Sequence, residues 1–513
     1  MLALTASLNF QPLSPAGQCM GCSLSSTATS TVNMSSTGAS STAATDTPPL
    51  RVLLITHNVC GIFDDTSGAA RAMWVAEIAA LAAEHDADFV ALHMQETGGS
   101  DWRTNALEGV APLAAALAAA CPEYWSSGVL CNTDTSDESR FTALSCCFLV
   151  RRRALPRVRL WHFGDGGRAA GFVTLEDEAA PALAAAALPA QLCRHQRFPQ
   201  DFFPEFPTWS RKGHLHTRWQ LGDVSARAIR RNSPRAILSA RPPTARPALA
   251  QASFDLVNFH NFHDQDNFVS LQRDEEGDGA TLSAYARARS RALAHTARSV
   301  AAEATGEKGA APALFVFGDF NFRLTLPAVV AHLAGDDGLR AARDAELRRV
   351  AEGGLLKIPL TEPPPAPARA SSSGASSSGP FHLEIGPKRF TSPRLAETVR
   401  AQLGAWRNFD DELAAYCAGN SNPLMELPID FVPSYMYVAI GKPAPKSDEP
   451  GTPAAAHAFG AKRCPGWCDR VLLDAAALSA VRASAVAAVY GSQEQTQQII
   501  TDHNKVYLAF AVA

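Results

Sequence analysis

Residues 464–473 read CPGWCDRVLL, and two folds compete for them. Cys464 and Arg470 have five residues between them. That is the spacing of a loop in which a thiolate attacks phosphorus, successive backbone N–H groups cradle the phosphate, and a helix follows. Pro465 removes the first of those N–H groups. After Arg470 the chain continues VLLD, which reads as a strand. The same C-x5-R spacing recurs at Cys146–Arg152 and Cys147–Arg153, so by itself it carries little. The segment is therefore a turn entering a strand. Asp469 and Arg470 are its chemically useful residues, while the cysteines and Trp467 shape the turn.

Along the rest of the chain, apolar runs predict strands at 51–59, 88–96, 143–150, 214–221, 253–260, 313–320, 469–473 and 506–512. Helical patterns fall near 69–84, 106–120, 283–304, 337–352 and 394–418, so the chain is expected to be an α/β protein. The strand ends are polar in a repeated way. LLITHNV supplies His57 and Asn58, FVALHMQE ends at Gln95 and Glu96, and FDLVNFH ends at His260. ALFVFGDFNFR carries Asp319, Asn321 and Arg323, and TDHNKV sets Asp502 and His503 before the last strand. One polar strand end is a turn or a cap. Six of them, with Asp469 and Arg470 included, describe one pocket at a sheet edge.

The residue types in that pocket suit metal-assisted phosphoester hydrolysis. Glu96 and Asn58 offer hard oxygen ligands for Mg²⁺, with water filling the remaining positions. Asp319 suits a general base or a water-orienting group, and Asn321 a contact to a phosphate oxygen. His503, oriented by a second carboxylate, suits charge stabilisation. No His-x-x-x-His pair or cysteine cluster supports zinc.

Composition bounds the rest. The chain has 513 residues, 46% of them hydrophobic, enough for a sizeable core. A net charge of −4 argues against nucleic acid as a partner and leaves any anion site local. Eleven scattered cysteines, an odd number, fit reduced thiols in a cytoplasmic protein. No apolar run reaches the roughly 20 residues that span a bilayer. Residues 1–48 are expected to be a disordered Ser/Thr/Ala-rich leader. They hold no Lys or Arg, as a secretory or mitochondrial signal would, and Cys19-x-x-Cys22 has no partner pair to complete a metal site. Residues 49–513 are expected to form one catalytic domain with flexible insertions near 224–252, 363–380 and 441–455. The first insertion lies between Asp223 and Asp255, a stretch with six arginines and no acid. It reads as a hairpin extension, with a basic arm toward an anionic membrane as the alternative.

Three segments in order, GDFNFR (318–323), PGWCDRVL (465–472) and TDH (501–503), resemble the signature segments of the inositol polyphosphate 5-phosphatases. FPQDFFPEFPTWSRKGHLHTRW (198–219), FDLVNFHNFHD (254–264), THNVCGIFDD (56–65) and PSYMY (433–437) resemble the type I subgroup, which acts on inositol 1,4,5-trisphosphate. The resemblance covers 51–513. It implies the four-layer α/β sandwich of the endonuclease/exonuclease/phosphatase, or DNase I-like, superfamily, with Mg²⁺ at one edge. It implies further that Glu96 ligates the metal with Asn58 beside it and that Asp319 activates or orients the attacking water, positioned by Asn321. His503 would contact the scissile phosphate, oriented by Asp469, with Asp502 near the metal and His260 on a phosphate. Lys212, Arg323 and Arg470 would contact substrate phosphates.

The implied substrates are soluble inositol polyphosphates, the trisphosphate and the 1,3,4,5-tetrakisphosphate, whose hydrolysis ends a calcium-mobilising signal. The rivals are a phosphoinositide lipid 5-phosphatase, an endonuclease and a non-catalytic inositol-phosphate binder. This chain departs from the family's pattern in three places, one being Asn261 after His260 where Leu is usual. Asn504 and Lys505 follow Asp-His where Lys-Pro is usual, and strand alternation sends Lys505 to the opposite face. The C-terminal prenylation tetrapeptide of the animal enzyme has no counterpart here. The expected location is therefore cytoplasmic, with at most peripheral contact at anionic membranes.

Overall fold

The computed structural model describes residues 48–512 apart from 133–134, 137–139, 166, 176–190, 203–210, 223–251, 272–281, 305–310, 353–354, 361–380, 394, 439–458 and 495–499. The leader up to residue 47 and the three insertions (bar Ala252) lie outside the described residues.

Two mixed sheets face each other. The first has strand order β15-β16-β1-β2-β4-β3, built from β1 (Leu50–Asn58), β2 (Phe89–Gln95), β3 (Tyr124–Cys131), β4 (Ser145–Arg151), β15 (Val489–Gln493) and β16 (Lys505–Val512). The second runs β14-β10-β9-β8-β5-β6. It uses β5 (Val158–His162), β6 (Gly171–Thr174), β8 (Gly213–Leu221), β9 (Ala252–His260), β10 (Ala313–Asp319) and β14 (Asp469–Leu473), with β7 (Arg194–Arg197) paired to β8. A small third sheet joins β11 (Leu356–Pro359), β12 (His382–Gly386) and β13 (Arg389–Thr391).

Strands covered on both faces run mainly apolar, and β2 reads FVALHMQ with every residue buried, His93 and Gln95 being its two polar side chains. Leu54, Phe89 and Phe148 meet Trp219, Phe254 and Phe315 across the inter-sheet core. The Trp219 ring lies 5.1 Å from Phe89 and 4.6 Å from Phe148. Cutting this ring to alanine would cost about 3–5 kcal/mol. On the outer face of the first sheet, Leu53, Ile55 and Leu92 pack with Trp74 and Ile78 of one helix (Ala69–Glu84) and Leu113 and Leu117 of another (Trp102–Ala120). On the outer face of the second, Val257 and Val316 pack with Ala288 and Leu293 of a third helix (Ala284–Ala304). The layers are therefore helix, sheet, sheet, helix: a four-layer α/β sandwich.

Eight predicted strands are present within two residues of their expected ends. The segment expected as one helix at 394–418 is three short helices, Leu395–Ala401, Leu403–Arg407 and Glu412–Ala418. The helix expected at 337–352 starts earlier, at Leu326, and is interrupted at Gly335, whose φ of 70° leaves the helical region. Among the described strands, β3, β5, β6, β7, β11, β12, β13 and β15 have no predicted counterpart, and β3 and β7 show two physical reasons. β3 shifts register between Ser126 and Val129, and β7 is four polar residues, Arg-His-Gln-Arg, docked on β8.

Candidate active site

The pairing register assembles the pocket. Asp319 closes β10, and in the ladder it stands opposite His260 of β9 on one side and Asp469 of β14 on the other. His260 in turn pairs with Gly213, so Lys212 arrives next to it. The first sheet brings its own strand ends to the same edge, with Asn58 paired to Gln95 and Glu96 following directly. A polar seam between the sheets fixes their separation there. Asn258 donates to the carbonyls of Met94 (3.0 Å) and Ser145 (2.8 Å), and Gln95 Nε2 donates to Asn258 Oδ1 at 2.8 Å.

Two clusters result. In one, Glu96 Oε1 lies 3.8 Å from Lys212 Nζ and 3.7 Å from His260 Nε2. Lys212 and His260 touch each other, and His260 Nε2 is 3.4 Å from Asp319 Oδ2. Burial alone would raise the Glu96 pKa, but Lys212 above all, then His260 and Arg211, hold it down at about 2. Glu96 is a fixed anion. Its backbone φ is +56°, and that of Asn321 is +53°. Asparagine enters this left-handed region readily, whereas for glutamate it is strain of about 1–3 kcal/mol of the kind found at functional sites.

In the other cluster, His503 Nδ1 sits 2.8 Å from Asp469 Oδ2, and Ser434 Oγ donates to that same oxygen at 2.8 Å. Burial opposes a charge on His503, yet Asp469 overcomes it and raises the pKa to about 10. His503 is an imidazolium. Burial pushes Asp469 in the opposite sense from an ordinary surface carboxylate, upward, with His503 pulling it back. Asp319, also buried, is held far below the usual carboxylate range by His260, His503 and Lys212.

Asp319, Asp469 and His503 each present a ligand atom within 4.8 Å of one another. Two of these three are spent on each other, and an imidazolium does not ligate a cation. Glu96 and Asn58 are the better donors. The Glu96 carboxylate is ionised and 29% exposed, and Asn58 is close enough to Asp319 for its Nδ2 to donate to Oδ2 at 3.4 Å. A carboxylate and an amide oxygen beside a second carboxylate form a hard donor set of the kind that Mg²⁺ takes.

The remaining expected residues divide. Asn321 accepts from Arg323 Nη2 at 2.7 Å, and its own backbone N–H donates to Asp319 Oδ1 at 2.9 Å. Arg323 stacks 4.9 Å over the Tyr435 ring, with its buried Nε unpaired among the described residues. Asp502 is half-buried beside His503 and contributes to that residue's charge.

Arg470 is a correction. It is 1% exposed, and its guanidinium donates to Asp410 (2.5 and 2.6 Å), to Glu426 (2.8 Å) and to the Trp467 carbonyl (2.8 Å). It points away from the pocket because successive strand residues alternate faces and Asp469 occupies the inward one. Lys505 likewise pairs with Glu77. His57 also lies off the pocket, accepting from Trp74 Nε1 at 2.7 Å. Cys464 and Cys468 are thiols, their pKa values driven up by burial.

Sequence reasoning missed Ser434, Tyr435, Gln95 as a seam residue, Asn258 and Arg211. Tyr435 packs 4.5 Å from the His503 ring and exchanges two backbone hydrogen bonds with Gly466. The PSYMY segment was the available signal for Ser434 and Tyr435, but nothing in it names a partner.

Comparison with known proteins gives the family. The sequence model of the endonuclease/exonuclease/phosphatase family matches residues 55–503. Inositol polyphosphate-5-phosphatase A of Homo sapiens is 27% identical over 483 residues, 91% of this chain and 94% of that protein. The probable type I inositol 1,4,5-trisphosphate 5-phosphatase of Caenorhabditis elegans is 24% identical over 446 residues, 84% of this chain and 93% of that one. Among solved structures, the inositol polyphosphate 5-phosphatase domain of SPSynaptojanin, in complex with inositol (1,4)-bisphosphate and calcium, aligns over 91% of this chain and 84% of its own. That alignment has 11% identity and a TM-score of 0.38. No helix among the described residues is long and apolar enough to cross a membrane.

Proposed function

The chain belongs to the endonuclease/exonuclease/phosphatase family and resembles its inositol polyphosphate 5-phosphatases, and on that footing we propose that it hydrolyses the 5-phosphate of inositol 1,4,5-trisphosphate with Mg²⁺. The 1,3,4,5-tetrakisphosphate is the second expected substrate, and loss of a calcium-mobilising signal the consequence. One observation carries the reading: an imidazolium–carboxylate pair (His503 and Asp469) and a fixed anion (Glu96) converge on Asp319 at one sheet edge.

Bound at Glu96 and Asn58, Mg²⁺ would supply Lewis-acid stabilisation of charge on the phosphoryl oxygens. The protein's own residues do the rest. Asp319, an anion beside His260 and His503, activates or orients the attacking water through a hydrogen bond. Asn321 fixes that carboxylate through its backbone N–H. Water adds to phosphorus in line as the P–O bond to the inositol C5 oxygen breaks; the attacking water gives up a proton as it becomes a phosphate oxygen, the departing C5 oxygen takes one up to become a hydroxyl, and inositol bisphosphate and inorganic phosphate leave. His503 donates to the transferring phosphoryl group, where charge spreads over three oxygens. Asp469 and Ser434 hold its ring in place, and Lys212 and Arg323 complete a cationic lining for a polyanion, with His260 beside Lys212.

The test is phosphate release from soluble inositol trisphosphate, its phosphoinositide lipid counterpart and abasic DNA, each with Mg²⁺ and with chelator. Turnover of the soluble substrate, lost in chelator, is expected. Preference for the lipid would replace the substrate assignment, and DNA cleavage without phosphate release would overturn the reading.

A further inference from the structure

His57 lies off the pocket, yet it reaches a pocket residue through a backbone carbonyl. Alternation along β1 puts His57 on the outer face with Leu53 and Ile55, the face that packs on Trp74 of the helix Ala69–Glu84. There Trp74 Nε1 donates to His57 Nδ1 at 2.7 Å, with the two ring planes only 10° apart. An indole N–H can only donate, so Nδ1 carries the lone pair and Nε2 the proton. His57 Nε2 lies 3.0 Å from the carbonyl oxygen of His503, which can only accept. The indole thus selects the one tautomer that can hold His503 by its main chain. Thr501 grips the same residue. Its hydroxyl accepts from the His503 N–H and donates to the His503 carbonyl, both at 3.1 Å. One turn beyond Trp74 on the same helix, Glu77 pairs with Lys505, two residues past His503. Trp74, His57 and Thr501 are all fully buried, and the His503 ring makes its bond to Asp469 from this clamped backbone. A buried imidazole is tolerated only when its nitrogens find partners. This one does more, because its second partner is the main chain of a residue in the pocket.

We propose that Trp74 and His57 are positioning residues for His503, holding its backbone so that its ring stays aligned between Asp469 and the transferring phosphoryl group. This rests on the functional reading above and deepens it. A helix on the outer face of the first sheet sets the alignment of a catalytic residue without touching substrate.

The experiment compares the full chain with His57→Phe, His57→Gln, Trp74→Phe and the double variant His57→Phe with Trp74→Phe. Phosphate release gives kcat and KM. Proton NMR of the substrate-free protein follows the low-field signal of the His503 Nδ1–H bonded to Asp469, identified by its loss in His503→Gln. His57→Phe should lower kcat about 10- to 100-fold, the size of a misalignment effect, with KM within about 2-fold and the low-field signal shifted or lost. His57→Gln, whose amide offers one acceptor and one donor, should recover most of both. Trp74→Phe should fall in between and add nothing to His57→Phe, because the indole acts only through His57. A drop in thermal stability with kcat and signal unchanged would make the pair merely structural and overturn the proposal. So would a raised KM at unchanged kcat, or independent, multiplying effects of the two substitutions. Should His57→Phe fail to fold, the fall in Trp74→Phe and its absence in His57→Gln decide the matter by the same two readouts. If the parent chain hydrolyses nothing, the functional reading fails, while the NMR signal still decides whether the pair positions His503.

Discussion

Replacing Arg470 with methionine separates a structural arginine from a substrate-binding one. The guanidinium is buried and saturated by Asp410, Glu426 and a backbone carbonyl. Its removal leaves two carboxylates, 11% and 8% exposed, with no counter-charge between them. Breaking a buried ion pair by deleting one partner costs about 3–5 kcal/mol. For a domain of roughly 450 residues the unfolding entropy is about 1 kcal/mol per kelvin, so Tm should fall by about 3–5 °C. Burial already raises the Glu426 pKa against the pull of Arg470. Without the arginine it rises further, and a raised folded value costs stability as pH increases. The Tm deficit should therefore shrink from pH 8 to pH 5. Adding Asp410→Asn and Glu426→Gln should recover part of the loss. Scanning calorimetry measures the first effect, and phosphate release at 20 °C shows whether KM moves. A KM raised 10-fold or more with Tm unchanged would refute this account and return Arg470 to the pocket.

Cys464→Ser should leave turnover within about 2-fold, since a thiol held protonated is no nucleophile; a trapped phosphocysteine would reverse that conclusion. Glu96→Gln should retain the fold and lose at least about 100-fold in kcat, with Mg²⁺ affinity reduced in titration calorimetry, because a fixed negative charge is removed from the donor set. Gly318→Ala should fail to give soluble active protein, because its Cβ would stand 1.8 Å from the Phe259 carbonyl oxygen; normal activity in that variant would mean β9 and β10 are not paired as described. His216 lies 2.8 Å from Asp255 and 3.0 Å from Glu303, which together raise its pKa against burial. Its stabilisation is complete below about pH 6.5, its unfolded value, and is lost as pH rises through the folded value. The stability gap between the parent and His216→Gln in urea melts should thus narrow from pH 6 to pH 9, and a widening gap would contradict the assigned partners.

Much of this architecture was legible because its strands are buried on both faces and therefore apolar, ending abruptly at Asn58, Glu96, His260 and Asp319. Each of those polar residues interrupts a hydrophobic run where the strand leaves the core, and that contrast is visible without coordinates. Ser434 and Tyr435 were not legible as site residues. They reach Asp469 and His503 from a loop, and no local pattern encodes a contact spanning 35 residues or more. Arg211 was hidden for a similar reason, since Glu96, the anion it helps to hold down, is far off in the chain. Arg470 was misread although the necessary fact was present: the alternation that turns Lys505 away turns one member of any Asp-Arg pair in a strand away as well.

The pairing of β1 with β16 has a consequence for synthesis. Leu50 lies opposite Val512 and Thr56 opposite Val506, so the first strand of the fold waits for the last. Pocket residues are spread from Asn58 to His503, one set on each sheet. A ribosome-bound chain that has already made Glu96, His260 and Asp319 still lacks His503 and the strand that closes the first sheet. Such a chain can neither finish its own β-ladder nor discharge substrate, and activity switches on only after emergence of the final segment. Refolding from denaturant should show the same lag, with turnover returning after most backbone structure has formed.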